Sequence, residues 1–375
     1  MKVETETMLF EFYVHWIWPV HRLFVSKHYS KRCLRCGIAE EYSALDQEKI
    51  CGLCREYEKN PRHNKTADEA VRTEIESILT SYENAGRFSY DAVVLFSGGK
   101  DSSYLLYRLL KTHPGLRLLA LTVNNSFMSS LAMENAVAVA KKLNVAHITI
   151  APPARVFKNM FRFALKNFRG LGSAQTVDML DGEFLIDQGR ILAATMHIPL
   201  VIIGYSHEQV KIEHLEKDNW YSTGETRTRA AVYSIAELTA ERDRHYWWDG
   251  DRFPKEDHPR IIFPYYGWDL SEEFIKGEVN RLGLIEKKKT SPVVTNNTLI
   301  PLQGLMDVVH LGYSSWEPEF TQMVREGKAS KKYWQSTFEL LQYSARTGHF
   351  LSGAKRGLEL LDLTAEEVGL KEALR

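Results

Sequence analysis

The stretch V-V-L-F-S-G-G-K-D-S-S, Val93 to Ser103, decides how the rest of this chain is read. Val93, Val94, Leu95 and Phe96 form a continuous apolar run, the pattern of a strand buried on both faces of a parallel sheet. Gly98 and Gly99 follow, and their missing Cβ atoms permit a tight turn in which backbone N–H groups approach an anion closely. A helix beginning near Asp101 aims its positive end at the same point. Ser97, Ser102 and Ser103 add hydroxyls, and Lys100 adds a compact positive charge. Strand, glycine turn and helix together have the anatomy of a phosphate cradle.

Neither G-x-x-x-x-G-K-[ST] nor G-x-G-x-x-G occurs at this place, so the two commonest nucleotide motifs do not describe it. S-G-G-K-D-S instead resembles the PP-loop of the ATP pyrophosphatases, enzymes that cut ATP between the α and β phosphates and leave AMP on a substrate oxygen. The resemblance implies that Ser97, Gly98, Gly99, Ser102 and Ser103 hold the phosphates. Lys100 with Mg²⁺ would neutralise the charge that builds on departing pyrophosphate. Lys100 and Asp101 are the candidate catalytic residues, both expected on a solvent-facing turn. For Asp101 two readings stand: organiser of Mg²⁺, or a carboxylate favoured by the helix dipole.

A chain of 375 residues with 44% hydrophobic content buries a sizeable core and suggests two or three domains. Its 48 basic and 48 acidic residues cancel, which argues against tight, unaided binding of tRNA or other nucleic acid. The start, M-K-V-E-T-E-T, lacks a basic n-region, and the aromatic stretch Met8 to Val25 is interrupted by Glu11, His15, Pro19, His21 and Arg22. It reads as neither signal peptide nor membrane span. With four cysteines in two close pairs a secreted disulfide framework is disfavoured, and a cytoplasmic protein is expected.

Those cysteines, Cys33, Cys36, Cys51 and Cys54, read C-x2-C-x14-C-x2-C, the spacing of two knuckles closing around one Zn²⁺. An iron–sulfur cluster and a redox dithiol are the alternatives, and the arrangement favours structural zinc. Asn60 to Lys65 reads as a linker and Ala67 to Tyr82 as a helix. Beyond the PP-loop helix, strand Leu118 to Val123, helix Leu131 to Leu143, strand His147 to Ile150, helix Ala154 to Phe168, helix Phe184 to Met196 and strand Leu200 to Ile203 continue the alternation. The expected fold class is α/β, a doubly wound parallel sheet with a small N-terminal zinc ribbon and a helical C-terminal region. Ligands of such sheets bind at the carboxyl ends of strands. Asn124, Asn125, Gly204, Ser206 and His207 should therefore ring the same pocket as Ser97 to Ser103.

The domain reading is an aromatic extension at 1–30, a zinc ribbon at 31–58, linker and helix at 59–83, and the PP-loop domain at 84–300. A charged, Trp-rich insertion or lid, with Arg227, Arg229, Trp247 and Trp248, occupies 207–264, and helices fill 301–375. Tyr313, Trp316 and Phe320, at helical spacing, read as core packing or a homodimer contact more than as a ligand cage.

Several segments together resemble the N-acetyl sugar amidotransferases, PP-loop enzymes that turn an acetamido group on a sugar into an acetamidino group. They are Cys51 to Glu58, the PP-loop, Leu121 to Asn135, Pro199 to Ser206, Pro264 to Asp269 and Met306 to Lys328. The chain departs from the pattern in the extension Met1 to Tyr29, in Ser315 where a basic residue is expected, and in Asn297, which stands in T-N-N where many PP-loop sulfurtransferases have T-N-C. The resemblance implies an N-acetylated sugar as substrate and polysaccharide biosynthesis as the setting. No cysteine follows Cys54, so neither a self-loading thiolase nor a built-in glutaminase is expected. Ammonia from a separate glutaminase partner fits best. A sulfurtransferase fed by an external carrier, acting on tRNA or a small molecule, and a non-catalytic nucleotide-binding subunit are the alternatives.

Overall fold

The computed structural model describes residues 3–59, 69–168, 170–206, 209–210, 221–222, 233–286 and 297–374. The linker read over 60–65 and the residues His207, Arg227 and Arg229 lie outside the described residues.

Six strands form one sheet: β1 Ala92–Leu95, β2 Leu118–Val123, β3 Ala146–Ile150, β4 Leu200–Ile202, β5 Tyr221–Ser222 and β6 Arg260–Ile262, in spatial order β3-β2-β1-β4-β6-β5. All neighbours pair parallel except β5, which runs antiparallel to β6 at the edge. Burial explains the order. The apolar runs of β2 and β4 are buried throughout, and β1 is buried but for the half-accessible Leu95, so these strands occupy the interior of the sheet; β3, A-H-I-T-I, is half exposed and forms an edge. Helices Lys100–Thr112, Ser130–Leu143, Ala154–Lys166 and Met179–Thr195 supply the crossovers and the covering layers. The third buries Val156, Phe157, Met160, Phe161, Ala164 and Leu165, an apolar stripe at helical spacing. The expected doubly wound α/β fold is the one observed.

Two boundaries differ from the sequence reading in ways that matter for the site. The helix expected from Phe184 begins at Met179 and is preceded by a π-helical turn, Ala174–Asp178, which brings Asp178 and Asp181 into ordered structure. The stretch 207–264, expected as an insertion or lid, contains β6, a parallel member of the sheet. Within the same stretch Trp247 is buried against the Phe184 ring, and Tyr233 donates its hydroxyl hydrogen bond to the Asn167 carbonyl. Tyr233, Leu238, Trp247, Ile261 and Ile262 of this stretch thus belong to the core, while many of the described residues around them are exposed.

The C-terminal helices clamp the two N-terminal pieces onto this body. Arg32, at the start of the ribbon, is buried and makes a fork to the buried Glu317 carboxylate, with Nη1–Oε2 at 2.7 Å and Nη2–Oε1 at 3.1 Å. Glu317 also accepts from the Ala39 backbone N–H at 3.0 Å. On the next helix, Lys331–Thr347, Glu339 accepts from Trp18 Nε1 at 3.0 Å and from both Nε and Nη2 of Arg22. Because removing one partner strands the other charge in the interior, Glu317→Ala should lower stability by about 3 kcal/mol or more. Chemical denaturation of the purified variant beside the native chain measures this, and a loss within the range of an exposed ion pair would contradict it.

Candidate active site and metal centre

After β3 the chain returns to the far side of β1 to form β4, so the carboxyl ends of β1 and β4 flank the point where strand order reverses. A crevice opens there in sheets of this kind, and here it is a cavity of about 470 Å³. Ser97, Gly99, Lys100, Asp101 and Ser102 line it from the glycine turn after β1, and Gly204 and Ser206 from the end of β4.

The turn is built around Gly98. Its φ is +74°, and a Cβ there would lie 2.2 Å from the Ala132 carbonyl oxygen and 2.7 Å from the Ala136 nitrogen of the Ser130–Leu143 helix. Any side chain would push the cradle off that helix. At Gly99 a Cβ would meet only Ser97 Oγ, at 3.3 Å, so that backbone stays open toward the cavity. The Ser97 and Ser102 hydroxyls lie 3.1 Å apart, and the Gly99 N–H donates to Ser97 Oγ at 3.3 Å. Tyr265 donates to the Asp101 carbonyl at 2.7 Å and ties the helix start to the segment after β6.

Lys100 is not on a solvent-facing turn as the sequence suggested. It is buried, with Nζ donating to Asp101 Oδ2 at 2.6 Å and 3.7 Å from Glu272 Oε1. Burial pulls its ammonium down, but the carboxylates of Asp101 and Glu272 more than offset this and hold it above the ordinary lysine value. Burial likewise pushes the Glu272 carboxyl up, and Lys100 and Lys276 more than compensate, leaving it below the usual range. The charged state of Lys100 is therefore built into the fold.

Asp178 and Asp181 line the same cavity. Asp181 is partly accessible through the cavity; burial raises its carboxyl to about 6 against the lowering effect of the Asn125 amide, which donates to Oδ1 at 2.9 Å. Asp178 accepts from Trp316 Nε1 at 3.3 Å. Sequence reasoning missed this pair and Glu272. The D-x-x-D spacing, which puts two carboxylates on one helical face, was the available signal.

Not every expected residue reaches the cavity. Asn124 is absent from its wall and closes its own turn, accepting from the Ser126 N–H at 2.9 Å, while Asn125 takes the lining position. Gly98 supports the turn from behind, and Ser103 is fully buried in the helix. Trp316 and Phe320, expected as core or dimer packing, are in the wall, with Phe320 stacked on Trp334 at a ring-centroid separation of 3.4 Å. Asn297 also lines it and accepts from the Leu299 N–H at 2.9 Å, at the start of the Ile300–Leu311 helix. Ser315 serves the buried Asp307, donating Oγ–H at 2.6 Å and N–H at 2.7 Å.

Cys33, Cys36, Cys51 and Cys54 converge in the ribbon with all sulfurs within 4.8 Å of one another. Cys33 and Cys54 are 3.8 Å apart, and Cys36 and Cys51 are 3.7 Å apart. A zinc–sulfur bond of about 2.3 Å in a regular tetrahedron spaces sulfurs about 3.8 Å apart. Hydrogen bonds from Cys36, Cys51 and Cys54 hold the Cys33 thiol well below its usual range, and backbone N–H groups of Arg35 and Cys51 donate to its sulfur. The donor set, buried and closed, fits a four-coordinate structural metal and leaves no open position for chemistry.

No family model matches the chain. An uncharacterized protein of Methanocaldococcus jannaschii is 30% identical over 134 residues, which cover 36% of this chain and 45% of that protein, so the chain spans less than half of its length. Among solved structures, the NMN synthetase of Francisella tularensis has a TM-score of 0.35 and 14% identity over 78% of this chain and 97% of its own. The NH3-dependent NAD synthetase of Campylobacter jejuni scores 0.33 with 13% identity, covering 64% and 82%. The U34-tRNA thiolase of Methanococcus maripaludis, solved with its 4Fe–4S cluster, scores 0.33 with 12% identity, covering 80% and 87%.

The ribbon geometry predicts one zinc per chain by elemental analysis, with four sulfur neighbours near 2.3 Å in X-ray absorption. Cys51→Ser should lose the metal and loosen the ribbon while the sheet persists. Iron in place of zinc, with the absorption spectrum of a cluster, would overturn the assignment.

Proposed function

We propose that this chain is an ATP-dependent enzyme that cuts ATP between its α and β phosphates, places AMP on an amide or carbonyl oxygen, and lets ammonia displace it. The observation that carries the reading is the glycine cradle at the switch point, with a buried cation beside it and two carboxylates in the wall of the same cavity.

An amide oxygen is a poor leaving group. Its attack on the α phosphorus breaks the bond to pyrophosphate and forms an O-adenylyl imidate, so the departing group becomes AMP. Ammonia then adds to the imidate carbon, the carbon–oxygen bond breaks, and AMP leaves with an amidine as product. The Gly99 backbone and the Ser97 and Ser102 hydroxyls orient the phosphates, and the buried Lys100 ammonium stabilises the negative charge on pyrophosphate without reorganising. Asp178 and Asp181 offer hard oxygen donors of the kind Mg²⁺ takes; an ion held there would neutralise phosphate charge. The aromatic wall of Trp316 and Phe320 suits the face of a sugar or a base. The finer assignment, an N-acetylated sugar acceptor in a polysaccharide pathway, rests on the scattered segments that resemble the N-acetyl sugar amidotransferases.

The cysteine count supports an external nitrogen source. All four cysteines of the chain are committed to the ribbon, so no thiol is left to hydrolyse glutamine or to carry sulfur. Ammonia is taken from a separate glutaminase.

ATP should yield AMP and pyrophosphate, and Lys100→Ala should lower turnover by at least two orders of magnitude, a typical loss for an electrostatic stabiliser. ADP as the main product would refute the reading. With Asp181 raised to about 6, the half-saturating Mg²⁺ concentration should climb as pH falls through that value, and Asp181→Asn should abolish this dependence. A raised carboxyl favours the protonated form in the fold, so its contribution to stability is present at low pH and lost as pH rises through about 6. Metal affinity and stability should therefore move in opposite directions across the window.

The isolated chain should use ammonium but not glutamine in pyrophosphate-releasing turnover. Turnover with a sulfur carrier and none with ammonium would assign it to thiolation instead.

A further inference from the structure

The N-terminal segment is built inside out. Helix Val3–Phe12 runs through a π-helical turn, Tyr13–Ile17, into a last turn, Trp18–His21. On an ordinary surface helix the carboxylates face water and the apolar residues face the core. Here Glu6 and Glu11, 5% and 9% accessible, point inward, where Glu6 accepts from the Ser352 N–H at 3.0 Å and Glu11 from the Tyr333 hydroxyl at 2.6 Å. Met8, Leu9, Phe12, Trp16, Ile17 and Val20 point out, followed by Leu23 and Phe24 in the next turn. Trp16 is 74% accessible and Phe24 79%. Met8, Phe12, Trp16 and Val20 recur every four residues, so they share one face. Isolated exposed apolar residues need no explanation, but a contiguous row of eight does.

We infer that this face is a membrane-surface anchor that seats the protein on an anionic lipid bilayer. Charge complementarity selects the occupant. Among the described side chains of residues 5–27, the exposed ones include no carboxylate; His15 turns to the buried Glu11 at 3.5 Å, and the exposed cation of the segment is Lys27, with Lys31 just beyond. A second copy meeting this face about a two-fold axis would bring like charges together with no anion to pair them. Anionic headgroups supply that anion, and Trp and Phe at the edge of a helix lying in the interface are the residues that partition there. The buried side of the same helix, through Glu6, Thr7 and Phe10, forms part of the cavity wall. Anchoring would therefore hold the cavity at the membrane surface.

Flotation of the full chain with vesicles tests this. With vesicles of phosphatidylcholine and phosphatidylglycerol the protein should rise, with phosphatidylcholine alone it should rise far less, and high salt should weaken the first result. Trp16→Ser combined with Phe24→Ser should lower partitioning by at least about tenfold, because two aromatic side chains leave the apolar phase. Both residues are exposed, so the unfolding temperature should not change. Lys27→Glu should reduce the preference for the anionic vesicles while leaving the apolar face intact. Absence of flotation with either composition would overturn the inference. If sedimentation then shows a dimer that the double substitution dissociates, the face belongs to a second copy.

Discussion

The structure hangs on carboxylates that have been taken out of water. Glu317 is buried against Arg32 and the Ala39 N–H, Glu339 gathers Trp18 and Arg22, and Glu272 sits between Lys276, the Trp334 indole and Lys100. Each joins a segment from one part of the chain to a helix from another. Burying such charges is costly, and apolar substitutes of similar volume would often serve stability as well. Buried carboxylates do something apolar packing does not: they require specific donors at defined positions. The ribbon, the N-terminal extension and the PP-loop helix are thereby held in register against the C-terminal helices.

That register makes the cavity. Its floor is the cradle at the end of β1, one wall comes from the helix carrying Asp181, and the other from the aromatic side chains Trp316, Phe320 and Trp334 beyond residue 300. The Glu272 carboxylate couples two of these surfaces, since it faces Lys100 on one side and accepts from the Trp334 indole on the other at 3.1 Å. The cradle end and the aromatic end cannot move independently without exposing a buried charge. Preorganisation of this kind lets a fixed ammonium act on developing charge with little reorganisation.

Much of this was legible in advance. The run Val93 to Phe96 and the glycines after it announced a buried strand and a tight turn, because a parallel strand is apolar throughout and positive φ is easiest without a Cβ. The cysteine spacing announced the ribbon, because two x2 knuckles are what a tetrahedral metal needs. The misses have separate causes. Lys100 looked exposed because Glu272, distant in sequence, could not be foreseen beside it. Asp178 and Asp181 were passed over because the helix was started too late, and β6 was taken for an insertion because three residues make too short a run to stand out among charged neighbours.

By itself, then, the sequence determined whatever depends on neighbours along the chain: the glycine turn, the alternation of strands and helices, and the thiolate set. These are local, since backbone dihedrals and ligand spacing are set within a few residues. Only the tertiary structure decided which charges are buried, which aromatic side chains face the cavity, and that the N-terminal helix presents its apolar side outward while hiding Glu6 and Glu11. The same amphipathic pattern serves a helix facing either way. Its orientation is chosen by partners hundreds of residues away, Tyr333 and the Ser352 N–H, and no local rule contains them.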